Sequence, residues 1–459
     1  MCSRAFVVQK RGEKSVRRYK LGDELGRGSF GTVVQAVDRI SGVRRAWKTV
    51  SKEVSGMNAF KKEAGIMQEL DHPNVGRLYD VVEDANNMYF VLELCNGGDL
   101  QHYLKEYTEE FLPEPTAAVV MRQLFGAMNY LHQLCIAHGD FAARNVLLRD
   151  QKPLEECTVK LADFGSAHKF ASLQEVGPHK SDIWGLGLLL RGLVCDISRV
   201  LGRSTIASAS GQSTGPRKPL DDSFWALHSP ESRCLCGRVL RRDPVNRWTA
   251  EEALHHPWLD LAKQQEKDKA IPTDLLQRLE SFKNASCLEK VALQAIAEQR
   301  QGHERLFTSL DADFDGLISV NDLQHSLEVS FGTTQPLPDL RALLEEVDPD
   351  GVGAIELSTF KAAMIQAGTF DRRIAQAAFR VLDRDADGRL TPADLCKLFP
   401  DLEEGEAQKM IAEFDLNSDG RLDFEEFTAM VAGHFAREHT KSWPKPAVTR
   451  RGPAMRQFK

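Results

Sequence analysis

The strongest constraint on this chain is a repeat near its C-terminal end. Acidic loops begin at Asp311, Asp348, Asp383 and Asp415, at spacings of 37, 35 and 32 residues, and helical apolar patterning flanks each one. A repeat of that period predicts that residues 301–433 are helix–loop–helix units stacked on one another. The shared pattern is Asp-x-Asp/Asn-x-Asp-Gly, then an apolar residue at position 8 and an acid at position 12. Side-chain oxygens at positions 1, 3 and 5, a carbonyl at 7 and an acid at 12 make the oxygen-rich, flexible shell that calcium requires, and the glycine at 6 permits the sharp turn.

The fourth loop meets every demand with Asp415, Asn417, Asp419, Arg421 through its carbonyl, Asp423 and Glu426; Gly420 is at the turn and Leu422 at position 8. The first offers Asp311, Asp313, Asp315, the Leu317 carbonyl, Ser319 and Asp322. The third offers Asp383, Asp385, Asp387, the Arg389 carbonyl, Thr391 and Asp394. Both end in Asp, whose shorter reach favours one oxygen over two, so weaker calcium binding or more magnesium competition is expected there. The second loop has Val352 at position 5 and Thr359 at position 12. It has lost two ligands, and either binds poorly or only supports its partner. Four such loops at repeat spacing resemble two EF-hand pairs, as in calmodulin.

Charge is partitioned along the chain. The net charge of -7 combines a block of -16 over 301–433 with +6 in each of the two ends, residues 1–20 and 434–459. An acidic block between basic tails suggests a cation-binding module with solvated ends, not a nucleic-acid surface. Nine cysteines without CxxC spacing indicate neither a zinc ribbon nor a disulfide framework. The longest apolar run, Ile183 to Val194, is too short to cross a bilayer and contains Arg191. With no signal-peptide-like apolar stretch at the start, the expectation is an intracellular monomer without a transmembrane segment. Its expected compartment is the cytoplasm, with the nucleus also open. Cys2 leaves lipidation open, while the glycine that myristoylation needs is absent.

Upstream, residues 19–260 alternate strand-like and helix-like segments, interrupted by a Ser/Gly/Thr-rich stretch from Gly202 to Pro219. Residues 261–300 turn polar and then amphipathic, with Leu275, Leu276, Leu279, Phe282, Leu288, Val291 and Ile296, which predicts a helical linker with one apolar face. Within 19–260, Leu25-Gly-Arg-Gly-Ser-Phe-Gly-Thr-Val33 carries a GxGxxG between two strand-like runs, which fits a hairpin lid over phosphates. Lys48 follows in Ala46-Trp-Lys48, then Glu63 on a helix, His138-Gly-Asp140 with Asn145, and Asp163-Phe-Gly165. This ordered set is the protein kinase signature.

Transfer of a γ-phosphoryl group is mostly positioning and charge stabilisation, and these residue types supply both. Gly26, Gly28 and Gly31 let backbone approach the phosphates. Lys48, steadied by Glu63, meets the α- and β-phosphates. Asp163 and Asn145 carry magnesium, and Asp140 orients the attacking hydroxyl and accepts its proton. The chain is similar to calcium-dependent protein kinases from about Tyr19 to Gly433. Supporting stretches are Leu70-Asp-His-Pro-Asn74, Glu93-Leu-Cys-Asn-Gly-Gly-Asp-Leu100, Lys180-Ser-Asp-Ile-Trp184 and Arg242-Asp-Pro-Val-Asn-Arg-Trp-Thr-Ala250 before His256-Pro-Trp258. The resemblance implies an α+β architecture: a bilobal protein kinase fold followed by an all-α EF-hand, calmodulin-like domain. It implies ATP, Mg2+ and Ca2+ as cofactors. It also implies adenine pairing by the backbone from Glu93 to Cys95 with Leu92 behind it, Asp99 on the ribose, and Leu25, Val33, Ala46 and Leu147 around the nucleotide. Residues 1–18 and 434–459 are then tails, 19–260 the kinase domain, 261–300 an autoinhibitory junction and 301–433 the four hands.

Three departures from the family stand out. Gly139 replaces the arginine that receives an activation-loop phosphate. Ala142 replaces the usual lysine two residues after Asp140, and Arg144 stands where it can supply that charge instead. Only twelve residues lead from Asp163 to Glu175, so the platform for a peptide substrate is cut short; Glu175 stands in for the usual acid, which pairs with Arg247. The reading is a calcium-regulated serine/threonine kinase acting on protein substrates. Its junction rests on the kinase lobe or cleft until calcium-loaded hands capture it. The alternative is a catalytically impaired pseudokinase serving as a calcium sensor or scaffold.

Overall fold

The computed structural model describes residues 10–11, 16, 18–28, 31–52, 57–107, 109, 111–173, 177–195, 197, 228–262, 271–300, 302–331, 339–347, 353–366, 371–399 and 402–438. Glu175, the 202–219 stretch, positions 1 to 5 of the second acidic loop, and residues 1–9 and 439–459 of the tails lie outside these. Among the described residues no helix is long and apolar enough to cross a membrane.

The first layer is a six-stranded sheet. Its strands are β1 (Lys10–Arg11), β2 (Tyr19–Gly28), β3 (Gly31–Asp38), β4 (Arg44–Ser51), β5 (Leu78–Glu83) and β6 (Asn87–Leu92), in the order β1-β5-β6-β4-β3-β2. All neighbours are antiparallel except β1 and β5. Side chains alternate across a strand, so β4 sends Trp47 to one face and Ala46 and Lys48 to the other. Trp47 is fully buried between Tyr19 and Tyr89, with ring centroids 5.2 and 4.8 Å away. On the opposite face helix α1 (Met57–Gln68) packs Phe60 on Phe90 at 4.3 Å. Pairing of β2 with β3 ends at Gly28 and Gly31. Gly31 has φ +146°, and a β-carbon there would lie 1.7 Å from the Thr49 carbonyl oxygen, so no side chain is tolerated.

The second layer is helical. After α2 (Leu100–Glu106) comes α3 (Glu114–Gln133), a 20-residue helix whose Ala, Val, Met, Leu and Phe residues are buried almost all round. Strands β7 (Ile136–Ala137), β8 (Val146–Leu148), β9 (Val159–Leu161) and β10 (His168–Lys169) form two short ribbons, β7 with β10 and β8 with β9, under the sheet. Helices α4 (His179–Cys195), α5 (Pro230–Val239) and α6 (Ala250–Leu254) complete the lobe. Only nine residues separate β10 from α4. Phe170 stacks on His179 at 4.8 Å, which ties the ribbon to the start of the helix.

From residue 271 on, the linker is two helices, not one: α7 (Leu275–Lys283) and α8 (Cys287–Glu298). Ser286 breaks it by starting a capping box, its hydroxyl accepting from Glu289 N while the Glu289 side chain accepts from Ser286 N. Leu275, Leu279, Phe282, Leu288, Val291 and Ile296 are buried as patterned, but α8 also buries Ala292, Leu293, Ala295 and Ala297 and has almost no free face. Around it lie α9 (Glu304–Leu310), β11 (Leu317–Ser319), α10 (Val320–Phe331), α11 (Leu340–Val347), β12 (Ala354–Glu356), α12 (Leu357–Ala363), α13 (Arg372–Leu382), α14 (Pro392–Leu398), α15 (Glu404–Ala412) and α16 (Phe424–Glu438). Both linker helices share one apolar core with them. The acidic loops are joined in pairs at position 8: Ile318 opposes Ile355 in β11–β12, and Leu390 bridges Leu422.

Candidate active site and ion-binding loops

At mid-strand in β4, Lys48 Nζ lies 2.8 Å from Glu63 Oε1, on α1, and 3.0 Å from Asp163 Oδ1. Burial works against the ammonium, but the two carboxylates outweigh it and hold the Lys48 pKa above its ordinary value. Burial likewise opposes the Asp163 carboxylate, and Lys48 more than compensates, so its pKa is lowered. Asp163 takes the left-handed conformation, with φ 63°. One turn of chain thus sets a fixed cation beside an ionised carboxylate, at the mouth of the glycine hairpin.

Asp140 stands in the loop between β7 and β8. Arg144 Nη2 donates to both of its carboxylate oxygens, at 2.8 and 3.0 Å, and Asn145 Nδ2 donates to its carbonyl at 2.8 Å. The loop hangs from a residue whose part in it the sequence did not announce. Buried Asp182, on α4, accepts from His138 N at 2.9 Å and from Gly139 N at 3.0 Å, and lies 3.2 Å from His132 Nε2. Gly139 has φ +79°, and a β-carbon there would sit 2.7 Å from the Ser166 carbonyl oxygen. The arginine absent here is therefore replaced by a tight backbone crossing between Asp140 and the segment after Asp163.

The connection from β6 to α2 passes Glu93 and Cys95. Glu93 Oε2 is 2.8 Å from Lys160 Nζ, with both side chains only 3% exposed, which pins the connection from behind. Burial, and then Glu93, push the Cys95 thiol up to about 12, so it stays protonated. Asp99 caps α2 by accepting from His102 N at 2.8 Å and bridges Leu147 in the floor below. Ala46 is buried, Val33 and Leu147 are half-buried, and Leu25 is exposed at the hairpin. Arg247, expected to meet Glu175, donates to the carbonyls of Arg241 and Lys180 and covers the Trp184 ring at 5.0 Å.

In the first acidic loop the ligand atoms of Asp311, Asp313 and Asp315 converge within 4.8 Å of one another, and in the third those of Asp383, Asp385 and Asp387 do the same. Position 4 of each well-formed loop is left-handed, at Phe314, Ala386 and Ser418. Asp311 Oδ1 is buried without a hydrogen-bond partner. Burial, then the neighbouring Asp315, Asp313 and Asp322, raise the Asp311 pKa well above the carboxylate range, and similar causes raise Asp315 to about 6. An orphaned buried oxygen among mutually repelling carboxylates fits a divalent cation. The acids at position 12 are also in place. Asp322 accepts from Ser319 Oγ at 2.6 Å, Asp394 from Thr391 Oγ1 at 2.6 Å, and Glu426 from Asp423 N at 2.9 Å. Thr359, at position 12 of the second loop, is engaged by the junction instead, where Gln294 of α8 donates to its hydroxyl at 3.2 Å.

The first pair of loops is docked on the back of the kinase-like lobes, which the sequence did not announce. Phe314 lies beneath the Arg122 guanidinium, 3.8 Å from its ring centre, and against Gly126 of α3. Ser358 N donates to Asp71 at 2.9 Å. Glu298 meets Arg77 at 2.7 Å, and Glu304 meets Arg149 at 2.7 Å and Lys361 at 3.4 Å, all of them largely buried.

Residues 19–259 match the protein kinase domain family, and 371–432 match the EF-hand domain pair. Over 90% of its length the chain is 32% identical to calcium-dependent protein kinase 3 of Plasmodium berghei (strain Anka), covering 80% of that protein. It is 28% identical to calcium-dependent protein kinase 5 of Plasmodium falciparum (isolate 3D7), over 91% of this chain and 78% of the relative. It is 29% identical to calcium-dependent protein kinase 34 of Arabidopsis thaliana, over 90% and 84% respectively.

Proposed function

The chain belongs to the calcium-dependent protein kinases, and from that premise we propose how its parts divide the work. It is a calcium-regulated kinase that passes the γ-phosphoryl group of ATP to serine and threonine hydroxyls of proteins. Asp140 accepts the proton of the attacking hydroxyl. Arg144, gripping both Asp140 oxygens, fixes that carboxylate and brings to the γ-phosphate the charge that Ala142 lacks. Lys48, held by Glu63, neutralises the α- and β-phosphates. Asp163 and Asn145 hold magnesium, which when bound screens the phosphate charge. The backbone from Glu93 to Cys95 takes the adenine edge, with Asp99 near the ribose. The observation that carries this reading is the joint assembly of Lys48 with Glu63 and Asp163, and of Asp140 with Arg144 and Asn145.

The hands supply the control. With α7 and α8 buried among them, the junction's apolar residues are unavailable to the kinase lobe, which corresponds to the captured side of the switch. Without calcium those residues return to the lobe or its cleft. The test is transfer to a protein substrate with and without calcium, for the wild type and Asp140→Asn. Calcium-dependent transfer that the substitution abolishes is expected. Calcium-independent transfer surviving the substitution sinks the assignment. The nine-residue connection between β10 and α4 favours a second reading, a nucleotide-binding sensor without peptide transfer. Nucleotide binding with no transfer under either condition would select it.

A further inference from the structure

The junction and the first pair of hands enclose a cavity of about 440 Å³ that none of the nucleotide-site or calcium-loop residues lines. Its walls are Arg278 of α7, Ala297 at the end of α8, Arg300, Gly302, His303, Lys361 of α12 and the run Met364–Gln366 that follows. Arg278, Arg300 and Lys361 are cations, and among the described residues no carboxylate lines the space.

Two of these cations already have partners: Asp274 accepts from Arg278 Nε and Nη2 at 2.9 and 2.6 Å, the Met364 carbonyl accepts from Arg278 Nη1 at 3.4 Å, and Glu304 is shared between Lys361 at 3.4 Å and Arg149 at 2.7 Å. Arg300 has no carboxylate within reach among the described residues. Partial burial, and then the Arg278, Lys361 and Arg300 charges, hold the His303 imidazole below its ordinary pKa against the opposing pull of Glu304. All three cations line the one space, with Arg300 the one that has no carboxylate partner among the described residues. Positive potential focused in a walled, partly apolar space concentrates anions. Arg guanidinium groups also suit the tetrahedral geometry of phosphate oxygens.

We propose that this cavity binds a small organic phosphate monoester, the phosphate on Arg278, Arg300 and Lys361 and the organic part on Ala297, Met364 and Ile365. The site differs from the nucleotide site in position and residues. Its two walls come from the junction and from the first pair of hands, so a seated anion braces the described arrangement of one against the other.

The test uses the full chain with saturating calcium and no nucleotide. Monobutyl phosphate and inorganic phosphate are titrated separately by calorimetry at matched ionic strength. Saturable binding is expected, tighter for the ester, because only the ester reaches the apolar wall. Arg300→Gln should weaken it about tenfold or more, as expected for loss of one charge-assisted contact, while Arg300→Lys retains most of it. Arg300 is partly exposed, so both variants should fold, and the unfolding temperature without ligand verifies this. Ester binding equal in wild type and Arg300→Gln would place the anion elsewhere and overturn the proposal, as would no saturable binding of either probe. Inorganic phosphate binding as tightly as the ester would overturn the assignment to an ester.

Discussion

Glu304 is the most informative residue to change. It begins α9, on the hand side, and is only 3% exposed, yet its carboxylate reaches Arg149 of the kinase domain as well as Lys361. Burial opposes its charge, but Lys361, Lys160 and Arg149 prevail and lower its pKa from 4.5 to about 2. At about 1.36 kcal/mol per tenfold, that difference favours the folded, ionised form by about 3 kcal/mol. Loss of one partner from a buried ion pair costs about 3–5 kcal/mol, in agreement. Because the folded pKa is depressed, the contribution is complete above about pH 5 and fades as the pH falls toward 2. Glu304→Gln keeps the shape and removes the charge. In calorimetric unfolding at pH 7.5 with calcium, it should destabilise the chain by about 3 kcal/mol and draw the kinase and hand transitions apart. A cycle with Arg149→Met should give a coupling of about 1–2 kcal/mol, since three cations share the carboxylate. Additivity of the two substitutions within about 0.5 kcal/mol would refute the claim that this pair ties the domains.

Two further substitutions probe the other sites. Gly139→Ala introduces a β-carbon 2.7 Å from the Ser166 carbonyl oxygen on a left-handed backbone; thermal unfolding should show a loss of about 1–3 kcal/mol, and transfer should slow as Asp140 shifts. Asp311→Asn removes one charge from a repelling cluster. It should raise the unfolding temperature in chelator while abolishing calcium binding at the first loop, and a fall in chelator would contradict the electrostatic account.

The ion-binding loops were legible because their chemistry is local: twelve consecutive residues supply every ligand, and pairing at position 8 follows from Ile318, Ile355, Leu390 and Leu422. The kinase residues were legible as an ordered set for the same reason, each embedded in a short motif. Asp182 was not read as the anchor of Asp140's loop, because that role depends on a contact spanning 44 residues. Glu298 and Glu304 were not singled out in the sequence, because only the docked arrangement brings Arg77 and Arg149 to them. The break at Ser286 had a readable signal, Ser-x-x-Glu, which the continuous apolar pattern of 275–296 obscured.

The strand shared by Ile318 and Ile355 joins a loop rich in ligands to one without carboxylates at positions 5 and 12. If the second loop does not fill, occupancy of that half is a single-ion event, and its dose–response rises no more steeply than a simple hyperbola. The C-terminal flank of the second loop ties that half to Asp71 through Ser358 and to Gln294 through Thr359. A sharper threshold is then expected from the distal half, where Leu390 and Leu422 link two loops that each carry a full set of candidate ligands.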